Sequence, residues 1–92
     1  MSRDRIARRV VVSGRVQGVF FRDSCREEAQ AAGVDGWVRN TADGTVEAWF
    51  EGSRSAVERL VEWCRSGPRR ADVDSAEAYE EDPTGHEGFR IR

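Results

Sequence analysis

With 92 residues, the chain has room for one small hydrophobic core, so residues 1–92 are expected to form a single domain. Apolar residues at 38% and charged residues at 35% exclude an intrinsically disordered chain. A formal net charge of −2 argues against a general nucleic-acid binder, which carries a basic face.

Ile6 to Ser13 reads as the first strand, built on the valines at 10 to 12 and breaking at Gly14. A glycine-bearing loop then opens a helix over Arg22 to Ala32. Phe21, Cys25, Ala29 and Ala32 recur at helical spacing, and Gly33 is its stop. Val34 to Asn40 is the second strand. Asp43-Gly44 signals a turn, and Thr45 to Glu51 alternates as the third strand. In it Val46, Ala48 and Phe50 share one face, and Glu47, Trp49 and Glu51 the other. Ser53 or Ser55 caps a second helix, Ser55 with Glu58 also fitting a capping box. Its buried stripe is Val57, Leu60, Val61 and Cys64, and Gly67-Pro68 ends it. Val73 to Tyr79 is a weaker strand, Asp82 to Gly85 a loop, and Phe89 to Ile91 a short final strand.

The order βαββαβ implies an α+β sandwich, two helices on one face of a mainly antiparallel four- to five-stranded sheet. In a split βαβ unit the first two strands run parallel with the third between them. The loop after Gly14 and the side chain of Asn40 then emerge at one sheet edge, about 10 Å apart. Strand, glycine loop and helix start form an anion cradle, because loop amides and the first helical N–H groups converge there. Arg22 at the mouth adds a planar, permanently charged fork suited to phosphate or carboxylate oxygens.

The stretch Val12-Ser13-Gly14-Arg15-Val16-Gln17-Gly18-Val19-Phe20-Phe21-Arg22 resembles the V-x-G-x-V-Q-G-V-x-F-R loop of acylphosphatases. Gly36 to Asn40 and Asp43-Gly44 match that family's G-x-V-x-N and D-G. The resemblance continues through Trp63, Gly67-Pro68, Ala71-x-Val73 and Phe89-x-Ile91, so it spans nearly the whole chain. It implies a ferredoxin-like fold and hydrolysis of an acyl phosphate to a carboxylate and inorganic phosphate. It further implies that Arg22 and the backbone amides of Arg15, Val16, Gln17, Gly18, Val19, Phe20 and Phe21 hold the phosphoryl oxygens. Asn40 would hold the attacking water, whose proton passes to substrate oxygens. Gly14 is read as supporting the loop, and Thr41 either as a support for Asn40 or, equally, as a turn hydroxyl. No metal or cofactor is implied.

Taken singly, these residues have plainer readings. An arginine at a helix start is ordinarily surface charge, mildly disfavoured by the dipole. Asparagine at a strand end is ordinarily a turn residue, and Gln17 and Arg15 ordinary loop polarity. Gly14 and Gly18 allow tight turning and close backbone approach to an anion. Phe20 and Phe21 are candidates for the acyl side of a pocket, with at least one in the core. His86, the single histidine, reads as an exposed loop residue rather than a base.

All fifteen basic residues are arginine, which removes Schiff-base and P-loop lysine chemistry. No Ser-His-Asp set, Cys-His pair or carboxylate cluster lies near the loop, and Cys25, Cys64 and His86 lack metal-ligand spacing. The two cysteines read as buried thiols on helix stripes, with a disulfide between the helices the alternative. No run approaches the roughly 18 apolar residues of a membrane span, and the start lacks a signal peptide's apolar core. A cytoplasmic monomer is expected, with small-molecule acyl phosphate and inorganic phosphate as its partners and neither nucleic acid nor membrane.

Two rivals remain. Similar domains occur within larger proteins, including carbamoyl-phosphate-using maturation factors, where the role is a binding module. The βαββαβ sheet with Trp37 and Trp49 is also shared with RNA-recognition domains, but the third strand carries two glutamates instead of their aromatic signature.

Overall fold

β-Branched and aromatic residues concentrate where the chain extends, and small or straight residues where it coils. The computed structural model describes residues 5–92, so residues 1–4 of the expected single domain lie outside it. In chain order the elements are β1 (Arg5–Arg15), α1 (Phe21–Ala32), β2 (Asp35–Asn40), β3 (Val46–Ser53), α2 (Arg54–Cys64), β4 (Asp72–Glu81) and β5 (Phe89–Ile91). They form a five-stranded sheet in the order β4-β1-β3-β2-β5. The β1–β3, β1–β4 and β2–β3 pairs are antiparallel, and β2–β5 is parallel. β3 therefore separates β1 from β2, as the split βαβ reading required.

One face of the sheet meets the helices. Val10 and Val12 of β1, Val38 of β2 and Val46, Ala48 and Phe50 of β3 are buried there with Cys25 and Ala29 of α1 and Val57, Leu60 and Cys64 of α2. Phe50 stacks on Phe89 at 5.9 Å between centroids, and burial of such a ring contributes about 1.5–3 kcal/mol. Cys25 and Cys64 are free and fully buried, the unbridged form of the two sequence alternatives. Helix α2 is capped by Ser53, whose Oγ accepts from the Ala56 N–H at 3.3 Å; Glu58 instead pairs with Arg54.

Two differences from the sequence reading have physical causes. β1 does not break at Gly14 but runs on to Arg15, with a bulge between Ser13 and Gly14. At Gly14 φ is 120°, and a Cβ would sit 2.3 Å from the Asp72 carbonyl oxygen. This glycine permits close approach to β4 rather than to an anion. β4 is longer than expected, Asp72–Glu81, because it follows β1 along its extended length.

On the other sheet face, residues 84–86 cover Glu51 and Trp49 of β3. Glu51, on the strand face shared with Glu47 and Trp49, is 0% exposed. Its oxygens accept from Arg5 Nε and Nη2 at 3.2 and 3.1 Å, Trp49 Nε1 at 2.9 Å and the Thr84 and Gly85 N–H groups at 3.1 and 2.7 Å. Burial alone would raise this carboxyl; these hydrogen bonds outweigh it and bring it down to about 2. His86 is half-buried rather than exposed, edge-on to Trp49 at 6.0 Å, with its carbonyl accepting from Arg5 at 3.0 Å. The loop so held delivers β5 alongside β2.

Candidate active site

The loop between β1 and α1 is short and anchored from below. Val16 and Val19 insert into the core, leaving Gly18 and Phe20 on the outside. Gln17 fixes it laterally: its Nε2 donates at 2.9 Å to the carbonyls of both Thr41 and Thr45, which flank the β2–β3 turn. Sequence alone reads this side chain as loop polarity, since its two acceptors lie more than twenty positions away. Below the loop, Phe21 packs on Trp63 at 5.1 Å and against Gly67, where a Cβ would stand 2.7 Å from the ring. The glycine after α2 thus makes room for the first residue of α1.

With the loop so held, its amides are free. The N–H groups of Gln17 to Phe20 make no turn or loop bond to another described backbone carbonyl. The first helical bond is Ser24 N–H to the Phe20 carbonyl at 3.1 Å, so the N–H groups of the opening turn have no intrahelical acceptor. Phe20, at the N-cap, offers no side-chain cap and sits in the left-handed region at φ 64°, a conformation that costs about 1–2 kcal/mol.

A cavity of about 330 Å³ opens over these groups, lined by Val16, Gly18, Phe20, Phe21, Arg22, Asp23, Asn40 and Ile91. Arg22 and Asn40, widely separated in sequence, meet there. Arg22 is exposed and makes no ion pair with a described residue; neighbouring Asp23 turns to Arg26 at 3.6 Å. Asn40 is the last residue of β2, and its Oδ1 is buried without a hydrogen-bond partner among the described residues. A buried carbonyl oxygen in that state is completed by a donor from solvent or ligand.

The remaining expected site residues lie around the cavity rather than in its lining. Arg15 is registered with Asp72 at the end of β1, and its side chain is exposed. Thr41 knits the turn: its Oγ1 meets the Thr45 hydroxyl at 2.6 Å and also bonds Asp43. Hydrogen bonds from Thr41 and Thr45 hold the Asp43 carboxyl below its ordinary range. Ile91, read from the sequence as the end of the short final strand and not as a site residue, reaches the cavity because parallel pairing registers it with Val38. Among the described residues, no three His, Cys, Asp or Glu side chains are grouped to hold a metal ion. Trp37 and Trp49 stack on each other at 6.5 Å, with Arg92 over Trp37 at 4.7 Å, so strand packing accounts for these aromatics.

A model of the acylphosphatase family matches residues 8–91. The chain belongs to the acylphosphatase family. An acylphosphatase of Natronomonas pharaonis is 54% identical over 89 residues, covering 97% of both chains. One of Rubrobacter xylanophilus is 59% identical over 85 residues, covering 91% of this chain and 77% of the relative. The structure of an acylphosphatase from Coxiella burnetii superposes with a TM-score of 0.95 at 37% identity, over 99% of this chain and 96% of that one. The chain is accordingly an enzyme hydrolysing the carboxyl–phosphate bond of acyl phosphates, on a ferredoxin-like α+β fold.

Proposed function

We propose that Arg22 and the backbone amides of the loop from Arg15 to Phe21, those of Gln17 to Phe20 free of other backbone acceptors, bind the phosphoryl oxygens, and that Asn40 positions the attacking water. The observation that carries this is that Asn40, whose buried Oδ1 has no partner among the described residues, lines the same cavity as Arg22, which makes no ion pair with a described residue. The oxygen accepts one water O–H, leaving a lone pair directed at phosphorus. As the water oxygen bonds to phosphorus, the bond from phosphorus to the acyl oxygen breaks and its electron pair leaves with the carboxylate. The water proton passes to a phosphoryl oxygen. Because the carboxylate is a good leaving group, positioning and charge stabilisation suffice and no protein base takes part. Arg22 and the opening turn of α1 supply the positive potential that the phosphoryl oxygens require.

In this reading residues 1–92 act as one domain, a cytoplasmic monomer that needs no metal. The test is carboxylate and phosphate release from benzoyl phosphate by purified protein with a chelator present, beside Arg22→Ala and Asn40→Ala. Chelator-insensitive hydrolysis lost in both variants, with inorganic phosphate still inhibiting any residual turnover by Asn40→Ala, is the expected result. Undiminished turnover by Asn40→Ala would refute the water-positioning role.

A further inference from the structure

Phe20 is the one non-glycine among the described residues with a positive φ. It stands where helices ordinarily receive Ser, Thr, Asn or Asp, and it caps nothing. The residue is 63% exposed, the most exposed large apolar residue described. Tyr79 follows at 41%, but its ring lies under Arg9 and its hydroxyl donates to Glu77. A strained residue that neither caps a helix nor fills the core needs another reason, and such strain concentrates at ligand clamps.

The cavity supplies the reason. Phe20 lines it together with Arg22 and Asn40. Of the other apolar walls, Val16 and Phe21 are 1% and 2% exposed and offer little surface. The Phe20 ring and half-buried Ile91 are what an apolar group would meet. A volume of about 330 Å³ lies at the lower end for small-molecule sites, room for more than a phosphoryl group. Arg70, in the turn after α2, holds its guanidinium 5.9 Å from the ring centroid, a cation–π distance that steadies the ring.

We infer that Phe20, with Ile91 beside it, is the acyl-side platform of this site, making the enzyme favour aryl and other bulky apolar acyl phosphates over acetyl phosphate. This rests on the reading that Arg22 and the loop amides take the phosphoryl end. A flat or extended acyl group gains stacking and dispersion against a fixed ring, whereas a methyl group has too little surface to do so.

The test is kcat and KM for benzoyl and acetyl phosphate in the unmodified chain, Phe20→Gly, Phe20→Leu, Phe20→Tyr and Arg22→Ala. Glycine accepts the left-handed backbone, so Phe20→Gly removes the ring without adding strain. The benzoyl-to-acetyl ratio of kcat/KM is expected to fall about five- to tenfold in Phe20→Gly, mainly through the benzoyl phosphate KM. It should fall less in Phe20→Leu and hold in Phe20→Tyr. An unchanged ratio in Phe20→Gly overturns the platform. So does weaker inhibition by inorganic phosphate in step with the benzoyl phosphate KM, which would mean that the ring shapes the loop. Full hydrolysis of both substrates by Arg22→Ala would instead defeat the phosphoryl reading, whatever the Phe20 variants show.

Discussion

Arg5 and Arg22 carry the same side chain in opposite circumstances. Arg5 is engaged by Glu51, by Asp35 at 3.1 Å and by the His86 carbonyl. Arg22 makes no ion pair with a described residue and sits where the helix dipole disfavours it by about 0.3–1 kcal/mol. The oxygens divide the same way: Glu51 accepts six hydrogen bonds, while Asn40 Oδ1 accepts none. Polar groups that complete one another hold the fold together, whereas groups left incomplete in a cavity are available to a ligand.

Substitution in each region should therefore move a different observable. Arg22→Ala is expected to lower kcat/KM for benzoyl phosphate about a thousandfold while unfolding free energy changes by less than about 0.5 kcal/mol. Paired kinetics and urea unfolding decide this, and a large stability loss with activity retained would erase the contrast.

Glu51→Gln should do the reverse. It is expected to cost about 3 kcal/mol in urea unfolding, with kcat at 25 °C within twofold. Its pH signature follows from a folded carboxyl near 2 against an ordinary value of 4.5. The stabilisation is complete above 4.5 and drains as pH falls toward 2, about 3 kcal/mol over that span. An acid titration of stability should be flatter in Glu51→Gln; an unchanged slope would mean other carboxylates govern acid unfolding.

Asn40→Ala sharpens the comparison inside the cavity. A fall of about a hundredfold in kcat is expected, with inhibition by inorganic phosphate within twofold, since the lost group serves the water rather than the phosphoryl oxygens. The smallest effect belongs to Gln17→Ala, which removes two hydrogen bonds joining the loop to the β2–β3 turn. A loss of about 1–2 kcal/mol in stability and a severalfold weaker phosphate inhibition are expected. Unaltered inhibition would show that the buried valines alone hold the loop.

The features legible in the sequence are those encoded locally. The valines at 10 to 12, the alternation from Val46 to Phe50 and the stripes of both helices carry their own periodicity, and element order then fixes which strands neighbour which. The Arg22 and Asn40 pairing was legible because one motif and one topology brought them to the same sheet edge. What escaped depends on partners distant in sequence. Gly14 stays in its strand because β4 lies against it. Glu51 is buried because residues 84 and 85 fold over it, and strand alternation carries no mark of that cover. Ile91 enters the cavity through the register of a three-residue parallel strand.

The free cysteines give the molecule a built-in clock. Burial pushes the Cys25 thiol well above its ordinary value, reinforced by the neighbouring Cys64 thiol, so neither protonation state nor access favours alkylation of Cys25 in the native protein, and burial alone shields Cys64. Modification must then await an excursion that exposes the buried core, and its rate under mild conditions counts those excursions. Inorganic phosphate, bound at the proposed site of the folded chain, should slow that rate as its occupancy rises. A reagent that never touches the active site would then report binding there, in seconds and minutes rather than in turnover.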